Sequence, residues 1–274
     1  MEYTDTQVKE LQEKARKIRR LIVQMLAKAG SGHPGGSLSS ADLIAALYFA
    51  VLRHNPKEPL WPGRDRFHMS KGHCCPLWYA VLAESGYFTL DKLQTLRQMG
   101  SVLQGHPDRR VPGVEVASGS LGQGLSVGLG MSLAAKLDHK SYRVYVLMGD
   151  GEIQEGNIWE AAMALSHYKC DNLCGILDHN GFQIDGRTQD IMNLEPLVAK
   201  WQAFGWHTIE IDGHNIRQIL SAYNEAENTK GSPSIIIAHT VKGKGVSFME
   251  NVVDFHGRAP TQEEARQALK ELES

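Results

Sequence analysis

Tyr142-Arg143-Val144-Tyr145-Val146-Leu147-Met148-Gly149-Asp150-Gly151 sets the architecture of this chain. The apolar run 142–148, with Val144 and Val146, predicts a short strand that stops at a Gly-Asp-Gly turn. A helix is expected over 154–168, then a second strand over 172–178 that ends at Asp178-His179-Asn180. Downstream the alternation continues with a strand at 207–211, a helix at 215–227 and a strand at 234–240. Strands separated by helical segments predict an α/β fold, a parallel sheet flanked by helices on both faces.

Upstream, Val8, Leu11, Ala15, Ile18, Ile22, Met25 and Leu26 recur at three- and four-residue steps and predict a helix over 5–29, with Gly30 as its stop. The Gly/Pro-rich segment 31–36 reads as a loop, after which Ser39 or Ser40 caps a helix running through Leu52. Residues 54–76 read as loop-rich, followed by helices around 77–86 and 90–99. Gly119-Ser120-Leu121-Gly122-Gln123-Gly124 opens a small-residue helix to about Leu137. No internal repeat or low-complexity tract interrupts the chain. One domain is expected over 1–250, then a C-terminal loop and polar tail helix over 251–274, with a capping box at Thr261 and Glu264.

The 274 residues are long enough for a full core without staples. With 29 basic and 31 acidic residues, the net charge of −2 supplies no basic field for nucleic acid. Four cysteines are too few for a disulfide scaffold, and adjacent Cys74 and Cys75 are badly placed to pair with each other. Reduced thiols, no apolar leader and no membrane-length apolar run predict a soluble cytoplasmic protein.

Ligands of parallel α/β sheets bind beyond the carboxyl ends of the strands. Asp150 stands at one such end and Asn180 at the next, 30 positions on, enough for one helical crossover. A carboxylate, an amide oxygen and a backbone carbonyl make a sparse oxygen shell of low charge. Such a shell suits Mg2+, which completes its coordination from water and a phosphate group. Gly149 and Gly151 let the backbone approach a bulky anion, and the helix starting near Gln154 can present N–H groups to it. The plainer reading of the same residues is a tight turn followed by an Asx turn. His33, His73, His106 and His256 each stand beside glycine in an expected loop. Any one alone would be an ordinary loop histidine, the reading kept for His54, His139, His167, His207 and His214.

Gly149-Asp150-Gly151, Glu155-Gly156, Glu160-Ala161, Asn172-Leu173 and Asp178-His179-Asn180 resemble the thiamine-diphosphate motif of transketolases. Ser31-Gly32-His33-Pro34-Gly35, Asp65-Arg66-Phe67, Ser70-Lys71-Gly72-His73, Gly105-His106-Pro107, Gly119-Ser120-Leu121-Gly122-Gln123-Gly124 and Phe255-His256-Gly257 are similar to further landmarks of that family, in its order. The resemblance implies a thiamine-diphosphate-binding fold, with Asp150, Asn180 and the carbonyl of Phe182 on Mg2+. It places Gly151, His73, Asn180, Lys242 and His256 on the cofactor, mainly near its diphosphate, and Gly119, Ser120 and Leu121 beside its aminopyrimidine. It gives His33, His106 and His256 to the sugar hydroxyls, and Glu155 and Glu160 to the link between active sites across the dimer. Histidine suits proton transfer at a hydroxyl because it titrates near neutrality.

The likeness reaches only the N-terminal domain of transketolases, whose chains continue into a pyrimidine-binding domain that supplies the activating glutamate. It therefore implies the N-terminal subunit of a split transketolase, inactive without its C-terminal counterpart and assembled as two copies of each chain. Two alternatives remain open. One is a related thiamine enzyme, either a deoxyxylulose-phosphate synthase or a transketolase for a specialised ketose. The other is a non-catalytic module that binds the cofactor or a partner. Cys170 and Cys174 lack a second ligand pair for zinc, Gly119-x-x-Gly122-x-Gly124 is not the dinucleotide order, and Lys242-Gly243-Lys244-Gly245 is not a full P-loop.

Overall fold

A computed structural model describes residues 3–273. Thr4 and Gln7 exchange the two bonds of a capping box and start α1 (Asp5–Ala29), which ends where Gly30 turns left-handed at φ 65°. Its stripe of Leu11, Ala15, Ile18, Ile22 and Met25 is buried. The next segment departs from expectation. Pro34, whose fixed φ suits the first helical position, opens α2 (Pro34–Ser39) inside the stretch read as loop. α3 (Ala41–Ala46) then passes into a π turn over Leu47–Val51. Neither Ser39 nor Ser40 caps a helix with its side chain. Ser39 Oγ donates to the Asp178 carboxylate at 2.6 Å, and Ser40 Oγ accepts from Lys71 Nζ at 2.7 Å.

A short strand, β1 (Arg66–Met69), lies within the region read as loop-rich. α4 (Cys75–Ser85) follows, but the expected helix at 90–99 is a 3-10 turn over Leu90–Thr95 only. α5 (Gln123–Leu137) starts four residues later than expected, because Gly122 stands in the left-handed region at φ 85°. Beyond it run β2 (Val144–Gly149), α6 (Gly156–His167), β3 (Leu173–His179) and the small hairpin of β4 (Phe182–Gln183) and β5 (Gly186–Arg187). α7 (Thr188–Ile191), α8 (Leu197–Ala203), β6 (His207–Asp212), α9 (Ile216–Asn228), β7 (Ser234–His239) and α10 (Gln262–Glu271) complete the described elements.

The main sheet is parallel throughout, ordered β1-β2-β3-β7-β6. Successive residues of a strand face opposite sides. Tyr145 and Leu147 of β2 accordingly join a core with α1, α3, α4 and α9, while Val144, Val146 and Met148 join a second core with α5, α6 and α8. Burial on both faces is why these strands read as continuous apolar runs. The capping box of Thr261 and Glu264 forms, and Ala265, Ala268 and Leu272 of the tail lie in the first core. All four cysteines are free and buried. Among the described residues no helix is long and apolar enough to cross a membrane.

Candidate active site

β2, β3 and β7 lie side by side, so their carboxyl ends bring Asp150, Asn180 and the segment leading to Lys242 to one edge of the sheet. Asp150 is buried; its Oδ1 meets His179 Nδ1 at 2.6 Å and its Oδ2 accepts the Gly181 N–H at 2.6 Å. Burial pushes its carboxyl above the ordinary value despite both contacts. Asn180 donates from Nδ2 to Asp178 at 3.0 Å, and its Oδ1 accepts the Phe182 N–H at 3.1 Å. The Asx turn therefore exists, and it aligns the amide oxygen rather than excluding it as a ligand, since a carbonyl oxygen keeps a second lone pair. The expected ligand set holds a single acid. Consistent with that, no group of three or more His, Cys, Asp or Glu side chains is arranged for a metal among the described residues.

A cavity of about 290 Å3 opens above these strand ends. His33, His73, His106 and His256 line it, as do Lys242, Asp150 and Asn180. Gly119, Leu121, Gly151 and Phe182 complete the expected residues found there. The exception is Ser120, which is exposed and does not line the cavity. Ser120 stands at the bend that leads into α5, where the Gln123 N–H donates to its carbonyl at 3.4 Å, and this turn leaves the residue in solvent. Glu155 and Glu160 are also exposed, away from this lining. A second cavity of about 570 Å3, shared at Asn180 and Phe182, extends toward Arg187, Glu195 and Asn251.

Three imidazoles meet in the cavity. His33 lies 5.1 Å from His73 and 5.7 Å from His256 between ring centroids, and His73 stacks on His256 at 5.4 Å. His106 reaches in beneath Gly119, where a Cβ would sit 3.5 Å from its ring. Burial, then the nearby cations, holds His33 and His256 down to about 4 and His73 well below the ordinary value. His106 is lowered by burial and Arg97. Four rings are thus neutral at neutral pH, each able to donate from one nitrogen and accept at the other. His33 Nδ1 is buried without a hydrogen-bond partner, a polar atom left for a ligand.

Lys242 supplies the positive charge. It is 2% exposed, forms no ion pair among the described residues, and approaches His256 Nδ1 at 3.0 Å. Burial lowers it to about 8. Its stem runs against Gly35, where a Cβ would meet Lys242 Cε and Cγ at 3.0 Å and the Phe255 carbonyl at 2.9 Å. Only glycine fits there.

Several supports escaped the sequence reading. Lys71, which also lines the cavity, pairs with the buried Asp178 at 2.6 Å, and Thr240 and Asn180 also donate to Asp178. Glu152 accepts the N–H of Gly122 at 3.0 Å and of Gly149 at 3.1 Å, and also bonds Ser70, tying three loops together. Lys71 and Asp178 stand inside recognised motifs. A charged side chain flanking an apolar strand was the signal available. His214, read as ordinary, accepts the Val241 N–H at 2.9 Å and bonds Asp42 at 2.7 Å, steadying the segment that carries Lys242.

Residues 11–273 match the family described as transketolase, thiamine diphosphate binding domain. One of the subunits of the apulose-4-phosphate transketolase of Phocaeicola vulgatus is 45% identical over 97% of this chain and 95% of its own length. The 6-deoxy-6-sulfo-D-fructose transketolase subunit SqwG of a Clostridium species is 47% identical over 96% of each. Human transketolase is 40% identical over 96% of this chain but only 42% of its own. The transketolase structure from Campylobacter jejuni superposes with a TM-score of 0.93 at 36% identity, covering 97% of this chain and 43% of that one. Matched along almost its whole length in sequence and in fold, the chain belongs to the family of transketolase thiamine diphosphate binding domains.

Proposed function

We propose that the chain is the cofactor-binding subunit of a split transketolase, moving a two-carbon ketol unit from a ketose phosphate to an aldose phosphate. The observation that carries this reading is the single cavity into which residues from distant motifs converge, on a chain whose length matches relatives named as subunits. Bound thiamine diphosphate would supply a carbanion that attacks the ketose carbonyl and then stores the two-carbon fragment. The chain's own residues do the rest. Lys242, His73 and His256 hold the diphosphate, and Gly151 brings its backbone close. Asp150, Asn180 and the Phe182 carbonyl hold Mg2+, whose charge supplies what the buried Asp150 lacks. His33 and His106, with His256, hold the sugar hydroxyls and carry a proton to or from them as neutral imidazoles.

The pyrimidine-binding half would come from a partner chain, in an assembly with two copies of each, the simplest two-fold arrangement. Four buried, unpaired thiols fit a reducing compartment such as the cytoplasm. The substrates in the names of the two same-length relatives favour a specialised ketose as donor. Co-expression with a chain carrying the pyrimidine-binding half, then assay of ketose consumption with and without thiamine diphosphate and Mg2+, tests this. The donor panel includes apulose 4-phosphate and 6-deoxy-6-sulfofructose. Cofactor-dependent ketol transfer by the complex is expected. Robust transfer by this chain alone overturns the split reading.

A further inference from the structure

His33 and His106 sit on separate loops, Ser31-Gly32-His33-Pro34 and Gly105-His106-Pro107, and both loops close on one side chain. Arg97 follows the turn Leu90–Thr95 and holds φ at 59°, a left-handed conformation uncommon for a residue with a Cβ. Its amide is pinned to the Leu103 carbonyl at 2.8 Å. This backbone lays the guanidinium flat under Gly105. A Cβ there would lie 2.8 Å from Nη2 and 2.9 Å from Cζ and Nε, three atoms of the plane at once. From the same guanidinium Nη1 donates to Ser31 Oγ at 3.4 Å, and Nε lies 3.8 Å from where a Cβ on Gly32 would stand. Among the described residues Arg97 has no ion-pair partner, so no carboxylate explains its placement.

We propose that Arg97 is a positioning residue: its guanidinium plane is the floor on which both histidine loops rest, setting His33 and His106 at the spacing from which they share one substrate. The flat fork matters as well as the charge, because an ammonium on a flexible stem neither lies under Gly105 nor reaches Ser31 in a fixed plane. Its field favours the neutral form of both rings, adding to the effect of burial. His73, His256 and Lys242 also face His33, and all three stay unchanged in the variants below. The catalytic half of this inference rests on the ketol-transfer reading. The geometric half does not.

The test is a double-variant cycle of Arg97→Lys, Arg97→Ala and Gly105→Ala in the full chain, alone and assembled with its partner. In the assembled enzyme Arg97→Lys should lower kcat roughly tenfold to a hundredfold, as misplaced catalytic groups do, with thiamine diphosphate affinity unchanged. Gly105→Ala should lower kcat similarly, and joining it to Arg97→Ala should add nothing, since the clash is gone. In the chain alone, histidine ring resonances assigned by substitution should move at both His33 and His106 in Arg97→Lys, and titrate higher in Arg97→Ala. Additive losses, or unmoved resonances at either histidine, overturn the proposal. If no ketol transfer occurs even with the unaltered chain, the function reading fails and the resonances still decide the positioning claim.

Discussion

Replacing Lys71 by Met removes the cation from a buried pair and leaves its anion behind. Lys71 is 2% exposed, and its Nζ donates to Asp178 at 2.6 Å, to Ser40 at 2.7 Å and to the Gly36 carbonyl at 3.0 Å. Burial, the largest single influence, would raise the Asp178 carboxyl, but Lys71, Ser39 and Thr240 together outweigh it and hold it at about 2. Against an unfolded value near 3.8, that depression contributes about 2 kcal/mol at neutral pH. Because the folded value is the lower one, this stability is present above 3.8 and is lost as pH falls from there through 2.

Breaking a buried pair from one side costs about 3–5 kcal/mol. Ser39, Thr240 and Asn180 still donate to Asp178 in the variant, so we expect about 3 kcal/mol, or a fall in Tm of roughly 6–12 °C for a chain of this size. Scanning calorimetry at pH 7 and pH 5 measures it. The deficit should shrink at pH 5, where an Asp178 freed of its cation begins to take up a proton. Adding Asp178→Asn to Lys71→Met should recover at least half of the loss, since the stranded charge is then gone. A Tm within about 2 °C of the parent, or strictly additive single and double losses, would refute the reasoning.

Lys242→Met should raise the Tm of the unliganded chain while abolishing its stabilisation by thiamine diphosphate. The folded lysine is lowered from 10.5 to about 8, so its destabilising effect is full below pH 8 and disappears as pH rises through 10.5, a profile that thermal scans across that range would show. Asp150→Asn should weaken Mg2+-dependent cofactor binding at least roughly tenfold, the loss that removal of an outer-shell partner already causes. Titration calorimetry on the assembled complex reads it, and unchanged affinity removes Asp150 from the metal. His33→Ala and His106→Ala should each lower kcat/KM roughly a hundredfold or more with Tm changed by less than about 2 °C. His33 Nδ1 makes no bond whose loss could destabilise the fold, so unfolding of that variant would return the residue to a structural role.

What could be read from sequence, and what could not, divides along a physical line. α1 was legible almost to the residue because apolar periodicity and Gly30 are local signals, β2, β3 and β7 because burial on both faces writes continuous apolar runs, and the edge strand β6 because buried Ile209 and Ile211 alternate with exposed Glu210 and Asp212. β1 was not, since four residues with His68 in their midst, beyond Pro59 and Pro62, carry no strand pattern of their own. The same division runs through the site. His33, His106 and Gly151 face the cavity, and a residue that faces a ligand needs a glycine-flanked loop to bring its backbone close, which leaves a mark in the adjoining residues. Lys71 needs only Asp178, 107 positions away, and Arg97 needs only two glycines on separate loops. A support is defined by a distant complement, so its role leaves no mark nearby even where the residue itself, as with Lys71 and Asp178, falls inside a motif. The motifs of such a chain therefore do not separate the groups that touch a ligand from those that hold them, so that substitutions at Lys71, Asp178, Glu152 or Arg97 are where sequence-based expectation and measured effect should diverge most.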